Sequence, residues 1–119
     1  MSADRPDEPP PQSAAPLSGT ELIRVLRSRW QVSYDLKLVQ RRGRLYLQVM
    51  WAHVEQQSFP LSTDDYALRL EEVAALLNGM GVAGQVRRWL LTTPGKPRLG
   101  RALTLPLALT PGRSAEFLL

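Results

Sequence analysis

The sequence predicts an α+β domain in which helices cover one face of a small, mainly antiparallel sheet of three strands, in the order α-β-β-α-α-β. Two stretches of strand-period patterning, Val32 to Leu38 with one wet face and Leu45 to Trp51 with a less polar second face of Tyr46, Gln48 and Met50, flank a turn too short for anything but a hairpin. Helical-period stripes stand on either side of this hairpin, and a third alternating stretch, Leu103 to Leu109, follows them.

Residues 1–17 contain five prolines and almost no large apolar side chains, too little to offset the entropy of ordering. They read as a disordered leader, and the Pro6/Pro9 spacing is too short a match to define a polyproline ligand. The globular domain is expected over 18–110, followed by a tail over 111–119 in which Phe117, Leu118 and Leu119 are the apolar residues.

Ser18 with Glu21 forms a capping box, after which Leu22, Ile23, Leu26 and Trp30 share one helical face, so a helix is predicted over about 19–30. Strand one places Val32, Tyr34, Leu36 and Leu38 toward the core and Ser33, Asp35 and Lys37 toward water. Arg41, Arg42 and Gly43 turn the chain into strand two, about 44–54, with Leu45, Leu47, Val49 and Trp51 on its core face. Ser62 or Thr63 caps a second helix, with Asp64 and Asp65 where carboxylates complement the dipole, and Tyr66, Leu70, Val73, Ala74 and Leu77 as its buried stripe. Asn78 and Gly79 are expected to close it in a left-handed cap. A third helix over about 82–92 buries Val82, Val86, Trp89 and Leu90 and turns Arg87 and Arg88 away, although Trp89 to Thr93 would also suit a strand. Strand three carries Pro106, which lacks an N–H and belongs at an edge.

Composition removes several chemistries. The chain has no cysteine, which excludes disulfides, thiol catalysis, iron-sulfur clusters and thiolate zinc sites. Its only histidine, His53, excludes any site needing two imidazoles. No apolar run approaches the roughly 20 residues that span a bilayer, and no signal pattern opens the chain, so a soluble, cytoplasmic protein is expected. Gly79, Gly81 and Gly84 spell a dinucleotide fingerprint, but they follow a helix rather than a strand and no acidic residue comes about 20 positions later, so they read as a helix connector. The pairs Asp64/Asp65 and Glu71/Glu72 point about 100° apart on a helix and do not converge on one atom. No catalytic residues, cofactor or metal site are predicted; an enzyme built on His53 and Glu55 remains an alternative with no motif to fix a nucleophile or oxyanion hole.

Two features point to binding. Strand two runs into His53, Glu55, Gln56 and Gln57 before a Pro turn, a polar cluster that strand rules do not require. Removing the acidic leader leaves 14 basic and 8 acidic residues, and six of the basic ones sit in two turns: Arg41, Arg42 and Arg44 in the hairpin, Lys96, Arg98 and Arg101 in the later Pro/Gly loop. If strand three lies beside the hairpin, the two turns are expected to merge into one positive surface. Such charge suits an anionic partner. A protein partner is favoured over RNA because Trp30, Trp51 and Trp89 all fall on predicted core stripes and leave no exposed aromatic for base stacking.

The blocks SYDLKL, LQVMWAHVEQQSFPLS and PRLGRALTLPLAL, in that order, resemble the cyanobacterial and plastid family called domain of unknown function 3067, over about residues 18–110. The resemblance implies a compact α+β domain of oxygenic phototrophs with no assigned activity, cofactor or catalytic residue. The family's distribution implies a role as an accessory or assembly factor of the photosynthetic apparatus.

Overall fold

The computed structural model describes residues 15–109; the Pro6/Pro9 segment and Phe117–Leu119 lie outside the described residues. Helix α1 spans Gly19–Trp30, strands β1 and β2 span Tyr34–Arg41 and Arg44–His53, helices α2 and α3 span Thr63–Gly79 and Ala83–Thr92, and β3 spans Leu103–Pro106. The sheet is antiparallel throughout, in the order β1-β2-β3, so Pro106 does lie on an outer strand. The missing N–H of Pro106 costs nothing there, and its carbonyl accepts from Gln85 Nε2 at 3.0 Å while Gln85 Oε1 accepts from the Ala108 amide.

Register puts the large aliphatic residues in rows across the core face. Leu36 pairs with Val49 and Val49 with Leu103, while Leu38 pairs with Leu47 and Leu47 with Leu105. Against these rows pack Leu22 and Leu26 of α1, the predicted stripe Tyr66, Leu70, Val73, Ala74 and Leu77 of α2, and Val86 and Leu90 of α3. Burying one such side chain stabilises the fold by about 1.5–3 kcal/mol.

The hairpin closes through Arg41, Arg42, Gly43 and Arg44 with φ of +54° at Arg42 and +76° at Gly43. Positive φ at both central residues is the type I′ turn, whose twist matches that of the strands it joins. Gly19 serves a different purpose: it is buried where α1 crosses α2, and a Cβ there would stand 2.8 Å from the Glu71 amide nitrogen. Its own amide donates to Glu71 Oε1 at 2.6 Å, which gives α1 a second acceptor at its N-terminus beside the Ser18 hydroxyl.

Four expectations are corrected. First, Arg87 is buried, 2% exposed, and not turned outward. It forks onto Glu21, with Nε to Oε2 at 2.6 Å and Nη2 to Oε1 at 2.9 Å, and donates to the carbonyl of Ala15 at 3.0 Å. Glu21 is thereby committed to α3; the capping box keeps only its Ser18 half. Second, Ser33 and Asp35 are buried rather than wet. Between Leu36 and Tyr34 the ladder shifts, β2 running from Val49 to His53 over the same interval. Helix α2 covers the irregularity, with Arg69 Nη1 2.8 Å from Asp35 Oδ2 and the Tyr66 hydroxyl 2.7 Å from the Tyr34 carbonyl. Third, the same shift carries Trp51 out of the core row, leaving it 40% exposed, while Trp30 and Trp89 are half-buried. Fourth, α2 ends through Gly81, with φ +77°, and not through a left-handed Asn78 or Gly79. Asn78 holds the incoming chain instead: its Oδ1 accepts from the Leu17 amide at 2.8 Å and its Nδ2 donates to the Leu17 carbonyl at 2.9 Å. Leu17, which composition groups with the leader, is buried in this contact.

Candidate functional site

The polar cluster after β2 closes the irregular end of the hairpin. Glu55 Oε1 accepts from the Ser33 amide at 2.9 Å, and Oε2 accepts from the Ser33 hydroxyl at 2.9 Å and from Arg27 Nη1 at 2.7 Å. His53 Nδ1 lies 3.3 Å from Oε1. Gln56 folds back so that its Oε1 accepts from the His53 amide at 2.9 Å. Burial alone would push the Glu55 carboxyl up, but the Ser33 amide, its own amide, the Ser33 hydroxyl and His53 together hold it down at about 2. Most of the polarity that strand rules leave unexplained is therefore spent on tying strand β2 to strand β1 and helix α1.

Around this lock runs a chain of edge-on rings: Trp30 to Tyr34 at 6.1 Å, Tyr34 to His53 at 5.7 Å and His53 to Trp51 at 6.4 Å between centroids. Edge-to-face contacts of this kind each contribute about 0.5–1.5 kcal/mol beyond the area they bury. Trp51, the most exposed tryptophan, is presented at the end of this chain. Gln57 is exposed six residues further along the chain, in the turn that follows strand β2.

The loop after α3 reaches the same end of the molecule. Trp30 Nε1 donates to the Gly95 carbonyl at 2.9 Å, Arg29 Nη2 donates to the Thr93 carbonyl at 2.6 Å, and Arg29 Nη1 donates to the Leu90 carbonyl. With its base fixed, the loop makes a tight turn in which the amides of Arg98 and Arg101 each donate to the other's carbonyl, at 2.9 and 2.8 Å. Gly100 has φ +77° and Leu99 does not have positive φ, which makes this a type II turn. Its apex residue Leu99 is 78% exposed. Lys96, Arg98 and Arg101 stand around an open concavity of about 340 Å³ whose remaining wall is Ala102 and Leu103. Among the described residues these three cations have no acidic partner, whereas Arg27, Arg69 and Arg87 are each paired with a carboxylate.

The two basic turns do not merge. Leu103 pairs with Val49 and Pro106 with Tyr46, so the Lys96–Arg101 turn lies off the end of β2 that leads to Trp51 and His53. Arg41, Arg42 and Arg44 are exposed at the opposite end of that strand, with Arg44 about seven residues from Trp51, or roughly 24 Å at 3.4 Å per residue. The structure brings His53, Glu55 and Gln56 into one network and Lys96, Arg98 and Arg101 around one concavity, and it leaves the hairpin arginines apart. Sequence reasoning passed over Leu99 and Arg27. Leu99 had a readable signal, a leucine between two arginines beside a turn glycine; Arg27 had none, because its partners are set by the shifted ladder.

Among the described residues no helix is long and apolar enough to cross a membrane, and no group of three or more His, Cys, Asp or Glu side chains is placed to hold a metal ion.

An α+β domain with a helix-covered three-stranded sheet and a basic concavity at one end is thus the class of protein defined. The family model described as domain of unknown function (DUF3067) matches residues 20–118, and the chain belongs to that family. The solution NMR structure of the Alr2454 protein from the cyanobacterium Nostoc sp. strain PCC 7120 is similar to this chain, with 38% identity and a TM-score of 0.76 over 87% of this chain and 98% of that one. Comparison with curated proteins gives no match.

Proposed function

We propose that this chain is a cytoplasmic, non-enzymatic protein-binding domain that acts as an accessory or assembly factor of the photosynthetic apparatus, and that it receives its partner at the end built from Trp51, Gln57 and the Lys96–Arg101 turn. The observation that carries the binding part is the set of Lys96, Arg98 and Arg101 around one concavity with no carboxylate partner among the described residues. A domain that pairs its structural cations and leaves these exposed has charge available for an anionic surface. The photosynthetic part is supported by the distribution among phototrophs that the family resemblance implies and by the likeness to a protein of the cyanobacterium Nostoc. Glu55 supports the non-enzymatic part, since its carboxylate is taken up by Ser33, Arg27 and His53 in a network that ties strand β2 to strand β1 and helix α1.

A second reading, RNA binding, is favoured by one observation: Trp51 is exposed at the same end as the cations, supplying an aromatic surface on which a base can stack. The separation of the two basic turns counts against a single extended track for the phosphate backbone.

The test is capture of partners from a cyanobacterial lysate by the tagged chain and by its Arg98→Glu/Arg101→Glu variant, each with and without nuclease. Nuclease-resistant capture of a specific protein, lost in the variant at unchanged melting temperature, is the expected result. Capture that survives the charge reversal overturns the proposed surface, and capture lost on nuclease treatment moves the function to RNA.

A further inference from the structure

The chemistry of the partner follows from how the Lys96–Arg101 turn is built. Turn apices favour polar residues and glycine, yet the apex here is Leu99, 78% exposed and flanked by Arg98 and Arg101. The turn does not need this leucine, because the paired amides and carbonyls of Arg98 and Arg101 and the positive φ of Gly100 define it. The side chain is therefore free for another molecule, with a cation on each side of it. The concavity beside the turn is lined by the apolar Ala102 and Leu103 together with Lys96, Arg98 and Arg101.

Phosphate sites typically cradle the anion with free backbone amides or a helix N-terminus. At this turn the amides of Arg98 and Arg101 are bonded within the turn, and no helix contributes to the wall of the concavity. The positive charge at the concavity comes from the side chains of Lys96, Arg98 and Arg101, with Ala102 and Leu103 in the same lining and Leu99 exposed on the same turn. Guanidinium forks match carboxylates two oxygens at a time. We infer that the turn docks an acidic linear segment of a partner protein, with Asp or Glu carboxylates on Lys96, Arg98 and Arg101 and an intervening apolar side chain packed against Leu99 and Leu103. This inference rests on the protein-binding reading above and specifies the partner's chemistry.

The experiment is fluorescence anisotropy with the full chain and a short fluorescein-labelled peptide in which Phe is flanked on both sides by pairs of Glu. Two control peptides replace Glu by Gln or Phe by Ser. The Glu/Phe peptide should bind at least about tenfold more tightly than either control, and Leu99→Ser and Arg98→Gln/Arg101→Gln should each weaken it about tenfold. Because Leu99 and both arginines are exposed, the melting temperatures of these variants should match that of the parent chain. Equal binding of the Gln peptide overturns the carboxylate assignment, an unchanged affinity of Leu99→Ser overturns the role of the apex, and stronger binding of an oligouridylate in competition overturns both. Absence of peptide binding alongside charge-dependent capture of a protein from lysate refutes the acidic-segment inference and leaves the protein-binding reading intact. Loss of both peptide binding and lysate capture overturns the protein-binding reading and the inference with it.

Discussion

Replacing Arg87 by Met keeps the volume of the arginine stem but leaves Glu21 buried without its partner. The guanidinium is 2% exposed and the Glu21 side chain 11%, with contacts of 2.6 and 2.9 Å between them, so solvent cannot take over either group in place. Breaking a buried ion pair from one side costs about 3–5 kcal/mol, most of it the desolvation of the carboxylate left behind. The loss also removes the hydrogen bonds that Arg87 donates to the Ala15 and Pro16 carbonyls at 3.0 and 3.4 Å. Against a total stability of about 5–15 kcal/mol for a domain, the variant should lose about a fifth or more of its margin and melt about 15–30 °C lower. Urea unfolding followed by tryptophan fluorescence measures the difference directly. The companion variant Arg87→Met/Glu21→Leu removes the stranded charge and should recover at least about half of the loss, because an apolar pair of similar volume replaces a buried ion pair at little cost. A single-variant loss below about 1 kcal/mol, or a double variant no more stable than the single one, would refute the reasoning.

Three further outcomes are expected. Gly19→Ala, favourable by about 1 kcal/mol in an open helix, should instead destabilise by about 1–3 kcal/mol in urea titration, because the added Cβ meets the backbone of Glu71 and Leu70 at 2.8–3.2 Å. Arg42→Asn should stabilise by about 0.5–1 kcal/mol and raise the melting temperature by a few degrees, since φ is +54° there and Asn tolerates the left-handed region. Glu55 is ionised in the folded state down to pH about 2 but takes up its proton near 4.5 once unfolded, so its contribution is present above pH 4.5 and is lost as pH falls through 2. With a side chain 38% exposed, solvent screening reduces that contribution to about 1 kcal/mol, and Glu55→Gln should flatten the acid limb of a stability-against-pH curve by that amount.

Periodicity was a good guide wherever one face of an element meets the core alone. The α2 stripe from Tyr66 to Leu77, the rows of Leu36, Leu47 and Val49, and the outer position of Pro106 all follow from spacing. It failed where two distant segments settle a question between them. Arg87 sits three residues before Leu90 and four after Ala83, on the buried arc of α3, so its position was readable; its charge argued it outward because the compensating Glu21 is 66 residues away in the chain. Trp51 and Asp35 exchange their expected environments because the β1–β2 ladder shifts between Tyr34 and Leu36, and alternation within one strand carries no trace of an irregularity in its pairing. The basic turns were each legible as turns, but their placement at opposite ends of β2 depends on the direction and register of β3. The candidate site was thus visible as a list of charged residues, and the exposed Leu99 and Trp51 that give it shape came from turn geometry and the ladder shift.

The central claim, that a partner engages the Lys96–Arg101 turn and not the hairpin arginines, is tested most directly by following the backbone amide signals of the isotopically labelled chain while the Glu/Phe peptide is added. The account predicts shifts concentrated at Lys96 to Leu103 and at the Trp51 indole, with Arg41 to Arg44 unmoved. Shifts centred on Arg41 to Arg44, or spread evenly over every exposed cation, would contradict it.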